Sequence, residues 1–151
     1  ETGLVVGGGR APGYVNVIDY FTIANTGNAT DFGDLTVARQ YAYGVSSATR
    51  GCFQGGETNP GSVVMKNTID YITIASTGDA TDFGDLTVAR RAAGTVSNSV
   101  RGVAAGGGTP NNVNTIDYIT IASTGNSADF GDMAKATSFP GAASNGHGGL
   151  S

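Results

Sequence analysis

The sequence predicts an all-β protein made of repeated four-stranded units. The first observation is a phrase of twenty residues that occurs three times, at 16–35, 67–86 and 114–133. Self-similarity at a period near fifty residues is typical of units that bury their apolar faces against neighbouring copies. The second observation is that no segment keeps a 3.6-residue periodicity, while Thr, Val, Ile and Tyr dominate the patterned runs, which favours strands.

The repeats define a single domain, residues 1–151, with units at about 3–50, 51–101 and 102–151. The middle unit shows the four predicted strands in order. They are a short apolar strand that ends in a Gly pair (51–56), an alternating strand (68–74), a strand that contains Phe83 (80–86), and a strand of small residues (92–97). Glycine is abundant, at 25 of 151 residues, and fixed glycines suit tight turns and close strand contacts.

Composition narrows the function classes. The net charge of −4, with 13% charged residues, argues against a nucleic-acid partner, because phosphate binding favours a basic surface. No apolar run approaches 18 residues, so no transmembrane helix and no membrane partner are expected. Cys52 stands alone and aligns with Leu4, Val103 and Leu150, which predicts a small buried apolar residue. A reactive or chain-linking thiol is the alternative.

The order of residues in the unit resembles the kelch repeat. The matching residues are Gly55-Gly56, Tyr71, Phe83 and Ala89-Arg90, and the same order recurs one unit later, with Thr137 in place of the arginine. Phenylalanine stands where kelch repeats carry Trp, and the chain has no Trp. The amino-acid sequence of the repeat is also similar to repeats in marine tailed-phage proteins. The resemblance implies a β-propeller with one four-stranded blade per repeat, and a virion or extracellular location.

The phase of the repeat predicts how the blades combine. The chain opens at Gly3-Leu4 in the second strand of a blade, and residues 141–145 match a first strand, so one blade is expected to be split between the two ends. Three blades are too few for a ring, since propellers have about four to eight. Either two chains form a six-bladed homodimer by strand exchange, or the chain is a piece of a longer or engineered protein. We favour the homodimer, because it leaves no strand unpaired at the seam.

Candidate ligand-binding residues lie on the loops that follow the Gly pairs, which differ most between copies, and on the turn that enters the next blade. By resemblance to kelch domains, both lie on one face. Arg and Asn can donate to hydroxyls and carboxylates, and Tyr can stack on a ligand, so we expect a glycan or a protein surface as the ligand. The candidates are Arg10, Tyr14, Arg39, Asn59, Arg90, Asn111 and Asn112.

The sequence supports a metal or catalytic site less well than a ligand-binding surface. Asp79, Asp82 and Asp85 could supply oxygens to calcium, but Asx turns explain them equally well, and no cofactor is expected. The repeated Asp19, Asp70 and Asp117 predict a structural hydrogen bond to a neighbouring blade.

The remaining titratable residues also favour a structural interpretation. Arg50 and Arg101 are expected to form an interblade salt bridge or to clamp a carbonyl group. His147 is the single imidazole. We therefore predict a non-enzymatic scaffold or recognition module. A purely structural or engineered self-assembling fragment is the first alternative, and a carbohydrate-active enzyme is the second.

Overall fold

The computed structural model describes residues 2–10, 13–58 and 62–144. This part of the chain is all-β and contains no helix, as the sequence predicts. The strands are β1 Thr2–Arg10, β2 Gly13–Thr22, β3 Thr30–Asp34, β4 Tyr43–Ser46, β5 Arg50–Gln54, β6 Glu57–Thr58, β7 Val64–Met65, β8 Thr68–Thr73, β9 Thr81–Asp85, β10 Gly94–Ser97, β11 Arg101–Ala105, β12 Gly108–Thr109, β13 Asn111–Asn112, β14 Thr115–Thr120 and β15 Ala128–Asp132.

Three antiparallel sheets follow one another along the chain. Sheet I is β1-β2-β3, sheet II is β4-β5-β8-β9 and sheet III is β10-β11-β14-β15. The register repeats: Asp70 of β8 lies opposite Phe53 and Asp82, and Asp117 of β14 lies opposite Ala104 and Asp129. The four predicted strands of the unit are therefore confirmed in sheets II and III. After the Gly pairs the sequence predicts only loops, whereas the structure forms the hairpins β6-β7 and β12-β13 there.

Glycines in the third strands let neighbouring sheets touch. Gly33 has φ +147, and a Cβ there would lie 2.4 Å from the carbonyl oxygen of Gly78 in the next sheet's turn. The amide of Gly78 donates to the carbonyl of Phe32 at 2.7 Å, and Gly125 repeats this bond to Phe83 at 2.7 Å. Since no side chain fits into this contact, glycine at these positions follows from the sheet-to-sheet packing.

Two apolar cores lie between the sheets. The I–II core has a buried centre of Ile18, Phe32, Leu35, Phe53 and Ile72, with Leu4 and Ile74 at its edge. The II–III core is formed by Tyr43, Val45, Cys52, Ile69, Phe83, Leu86, Ala104, Ile119 and Ile121. Burial of such apolar side chains is the main driving force for packing one sheet on the next.

The sheets are also joined by buried ion pairs. The guanidinium of Arg39, in the connection from sheet I to sheet II, donates to the Asp70 carboxylate at 2.8 Å, and both side chains are 0% exposed. The equivalent ion pair joins sheets II and III, where Arg90 Nη2 lies 3.0 Å from Asp117 Oδ2. Asp70 and Asp117 also accept hydrogen bonds from Thr36 and Thr87, both at 2.6 Å. The predicted structural role of these two aspartates is thus confirmed, while Asp19 on sheet I is partly exposed.

The second pair of repeated arginines lies nearer the surface. Arg50 donates to the carbonyl of Ile121 at 3.0 Å, which confirms the predicted carbonyl clamp between sheets II and III. Its guanidinium stacks 4.5 Å above the ring of Tyr71. Arg101 is exposed and stacks 4.7 Å above the Tyr118 ring. Aromatic contacts of this kind hold the guanidinium while it still faces water.

Cys52 is a buried apolar residue, as the alignment of the repeats predicts. Its side chain is 0% exposed within the II–III core. Burial raises the pKa of the Cys52 thiol to about 12, against a smaller opposing effect of Arg50. Because the thiolate is the reactive form, this environment makes the thiol inert.

Candidate functional site

The two candidate arginines of the entering turns are not on the surface. Arg39 and Arg90 are both 0% exposed and are engaged in the ion pairs with Asp70 and Asp117. Arg39 also donates to the carbonyl of Phe53 at 3.1 Å. The prediction that these two arginines contact a ligand is therefore corrected: a ligand on the surface cannot reach them. Their place on the turn that enters the next sheet suggested an exposed position, but the side chains point inward, to the aspartates of the neighbouring sheet.

The other predicted ligand-binding residues lie in different parts of the structure. Tyr14 lies on β2 and its hydroxyl belongs to a hydrogen-bonded cluster described below. Asn111 and Asn112 form β13 and are exposed. Arg10 ends β1, but its side chain lies outside what the structure describes, as does all of Asn59. Of the predicted ligand-binding residues, the structure thus brings Tyr14 into a polar cluster and leaves the two asparagines on a separate hairpin.

The entering turns and the post-Gly-Gly hairpins do share one face. Gln40 forms a two-way bridge with Glu57, with backbone N–O distances of 3.1 and 2.9 Å. Arg91 forms the equivalent bridge with Gly108, at 3.2 and 3.0 Å. The placement that the resemblance implied is therefore confirmed, but residues 40 and 91 occupy it rather than residues 39 and 90.

A buried carboxylate organises this face. Glu57 at the start of β6 is only 2% exposed. Its Oε1 accepts from Gln40 Nε2 at 2.7 Å and from the Tyr14 hydroxyl at 3.5 Å, and its Oε2 pairs with Arg91. Gln40 Nε2 also donates to the Tyr14 hydroxyl at 3.0 Å. Partial desolvation, followed by the negative charge of Glu57, raises the pKa of Tyr14. Since both oxygens of Glu57 are engaged, the carboxylate fixes its neighbours in place.

Exposed aromatic rings surround this anchor. Arg91, whose side chain is 32% exposed, lies with its guanidinium 5.4 Å from the ring centroid of Tyr41. Tyr41 in turn meets Phe139 edge to face, with centroids 5.8 Å apart. The exposed fractions of the two rings are 46% for Tyr41 and 65% for Phe139. Large aromatics that pack on each other yet face water are typical of contact surfaces.

We call this set the aromatic–polar patch. It combines contributions from β2, the two entering turns, β6 and the segment after β15, so residues far apart in the sequence meet on one face. Its members are Tyr14, Gln40, Tyr41, Glu57, Arg91 and Phe139.

The repeats themselves could have indicated the missed residues. Positions 40, 91 and 138 align as Gln, Arg and Ser, and positions 41, 92 and 139 align as Tyr, Ala and Phe. Tyr41, Ala92 and Phe139 share the same left-handed backbone, with φ of 55, 54 and 55°. The backbone is therefore a property of the repeat, and the side chain placed on it is what varies. The copies differ visibly in the loops after the Gly pairs, and they also differ at the two positions that follow the Ala-Arg pair of the first two copies.

The aspartates considered for calcium have another explanation. Asp79 Oδ1 accepts from the amide of Asp34 at 3.0 Å, and Asn126 Oδ1 accepts from the amide of Asp85 at 3.0 Å. Either side chain makes this bond between sheets, which explains why Asp and Asn alternate there. Asp82 is exposed on β9. Across residues 2–10, 13–58 and 62–144, no three His, Cys, Asp or Glu side chains are grouped as metal ligands.

His147 lies outside the described residues. Among the residues that the structure describes, none forms a helix that is long and apolar enough to cross a bilayer. In comparisons with known proteins, no family model matches the chain and no curated sequence is significantly similar to it.

Proposed function

We propose that the chain is a non-enzymatic recognition module, in which blade-like sheets of a β-propeller present the aromatic–polar patch to a glycan ligand. One observation carries the proposal. Tyr41 and Phe139 remain 46% and 65% exposed although they are large and apolar. The fold does not require a large aromatic residue at this position, since Ala92 has the same backbone conformation in the entering turn between sheets II and III.

The chemistry of the patch suits a sugar. The C–H face of a pyranose can stack on the Tyr41 and Phe139 rings, as apolar surfaces do on aromatic faces. The guanidinium of Arg91 has several N–H donors, of which one pairs with Glu57, so others can donate to sugar hydroxyls. Because Glu57 balances the charge of Arg91, the patch favours a neutral sugar over a strongly anionic one.

The test is binding to a glycan array, followed by titration calorimetry with the best hit. Phe139→Ala and Tyr41→Ala should each weaken binding about tenfold or more, since central aromatic contacts contribute about 2 kcal/mol. Each variant should lower the melting temperature by only about 2–4 °C, because it loses one exposed aromatic contact, while alanine already occupies the same backbone conformation at position 92. Phe130→Ala is the matched control: Phe130 is 55% exposed on β15 and packs on Tyr118, outside the patch.

The opposite results separate this proposal from its alternative. If no glycan binds, or if Phe130→Ala weakens binding as much as Phe139→Ala, the patch is not a sugar site. A purely structural or engineered scaffold then becomes the better interpretation, and it predicts strong self-association without any ligand. A protein ligand would give a third pattern, in which the patch variants abolish capture of a partner but not of sugars.

The larger architecture belongs to the same proposal. We infer that the three sheets are consecutive blades and that six such blades close a ring. The support is the repetition of the sheet-to-sheet contacts: the ion pair, the glycine contact and the apolar core recur from the I–II to the II–III interface. An identical step repeated in one direction leads to a ring or a helix. A virion or extracellular location fits a recognition module of this kind.

A further inference from the structure

A cleft of about 850 Å³ runs between sheet I and sheet II, beside β1 and β4. Its walls include Leu4, Gly44, Val45, Ser46, Gly51 and Phe53. We propose that this cleft binds residues 141–144 of a second copy of the chain, which adds a strand to the free edge of β1. The inference rests on the proposed propeller architecture, and it specifies the partner, the segment and the register.

The first argument is the position of residues 141–144. In sheet II the first strand, β4, lies beside the first strand of sheet III, β10: Thr95 Oγ1 donates to the carbonyl of Gly44 at 2.8 Å. Residues 141–144 lie on the other side of β10. Ser144 Oγ donates to the carbonyl of Ser97 at 3.2 Å, and a Cβ on Gly94 would lie 3.3 Å from the Ala142 Cβ. The segment thus continues the row of first strands, although it pairs with no strand of the described residues.

The second argument is what the I–II core lacks. Its residues correspond one to one with those of the II–III core, with two exceptions. Leu4, Phe53 and Ile74 stand where Cys52, Ala104 and Ile121 stand in the other core. Among the residues whose side chains the structure describes, nothing in the I–II core corresponds to Tyr43 and Val45, which β4 contributes to the II–III core. As a result, Ile121 is completely buried but Ile74 is only partly buried and lines the cleft.

The third argument is complementarity of size. In the alignment of the repeats, Gly141 and Ala143 occupy the positions of Tyr43 and Val45. A strand with these residues would bring less volume into the core. The I–II core compensates with larger residues on the opposite side, since Phe53 replaces Ala104 and Leu4 replaces Cys52. Total volume is what a well-packed core conserves, so the small segment fits this cleft.

The repeat also fixes the register. In sheet II, Val45 pairs with Cys52 and Ser46 pairs with Gly51. In sheet I, Leu4 and Gly3 hold the places of Cys52 and Gly51, opposite Tyr20 and Phe21. The added strand should therefore place Ala143 opposite Leu4, and Ser144 opposite Gly3. A shift by one residue would turn Ala143 away from the core.

The test is a register-specific disulfide. In a Cys52→Val background, which copies Val103 of sheet III, the pair Leu4→Cys and Ala143→Cys should form an intermolecular disulfide under mild oxidation. Linkage should appear as a species of twice 15.1 kDa on a non-reducing gel, confirmed by mass spectrometry. The control pair, Leu4→Cys with Ala142→Cys, places the second thiol on the opposite side of the strand and should crosslink at least about tenfold less, given the narrow range of disulfide geometry.

Light scattering of the unmodified 151-residue chain completes the experiment. The expected mass is twice 15.1 kDa, and Ala143→Arg should convert it to a monomer, because a charged side chain that faces Leu4 and Phe53 of the I–II core would be buried without a partner. A folded monomer, equal crosslinking of both cysteine pairs, or an open polymer of indefinite length would overturn the inference. If a monomeric chain still bound a sugar through Phe139, the proposed function would stand and only the second-copy strand would be lost.

Discussion

Removal of the Arg39 guanidinium should strongly destabilise the contact between sheets I and II. The Asp70 carboxylate is 0% exposed, and in Arg39→Leu it would lose its 2.8 Å ion pair. Thr36 still donates to it, from Oγ1 at 2.6 Å and from the amide at 3.3 Å. The carbonyl of Phe53 loses a 3.1 Å hydrogen bond in addition. An uncompensated buried charge of this kind costs about 3–5 kcal/mol, and the retained threonine bonds favour the lower end of that range.

Urea unfolding, followed by circular dichroism, measures this loss directly. Arg101→Leu is the matched control, because it removes an exposed arginine that stacks on Tyr118, a contact worth about 0.5–1 kcal/mol. In Arg39→Leu combined with Asp70→Asn, part of the lost stability should return, because no buried charge is left unpaired. A loss below about 1 kcal/mol for Arg39→Leu, or a loss equal to that of Arg101→Leu, would refute the reasoning.

Two further predictions follow from burial and from the repeat. Burial raises the pKa of Tyr43 to about 12 from 10.0, and that of Cys52 to about 12 from 9.0. The unfolded chain therefore releases these protons at lower pH than the folded chain does, so stability should fall as the pH rises from about 9 to 12. In melting experiments, the double variant Tyr43→Phe/Cys52→Val should show a smaller fall over this range. At the proposed seam, Thr137 stands where Arg39 and Arg90 stand, and Asp19 stands where Asp70 stands. Thr137→Arg should thus tighten self-association about tenfold, or 1.4 kcal/mol. In an Asp19→Asn background, where the new arginine has no carboxylate to pair with, the same substitution should weaken self-association. Analytical ultracentrifugation measures both, and the same effect in both backgrounds would contradict the pairing.

The sequence by itself determined the repeated unit. Alternation in residues 68–74, the Gly pairs and the small-residue strand follow directly from the geometry of pleated, closely spaced strands, so β5, β8, β9 and β10 lie where the pattern places them. Burial of Cys52 was also predictable, because apolar residues occupy its position in the other copies. These features are local, or they repeat, and both kinds of signal can be read along one chain.

Only the tertiary structure decided which arginines are buried. Arg39 and Arg91 lie in equivalent turns and look equally available in the sequence, yet one is 0% exposed beside Asp70 and the other lies on the surface beside Glu57 and Tyr41. Within one turn, Arg90 and Arg91 are adjacent, yet Arg90 pairs with the buried Asp117 and Arg91 faces the surface. Which of the two faces the neighbouring sheet depends on how the sheets pack. The aromatic–polar patch likewise joins residues from Tyr14 to Phe139, because the stacking of sheets brings distant segments to one face.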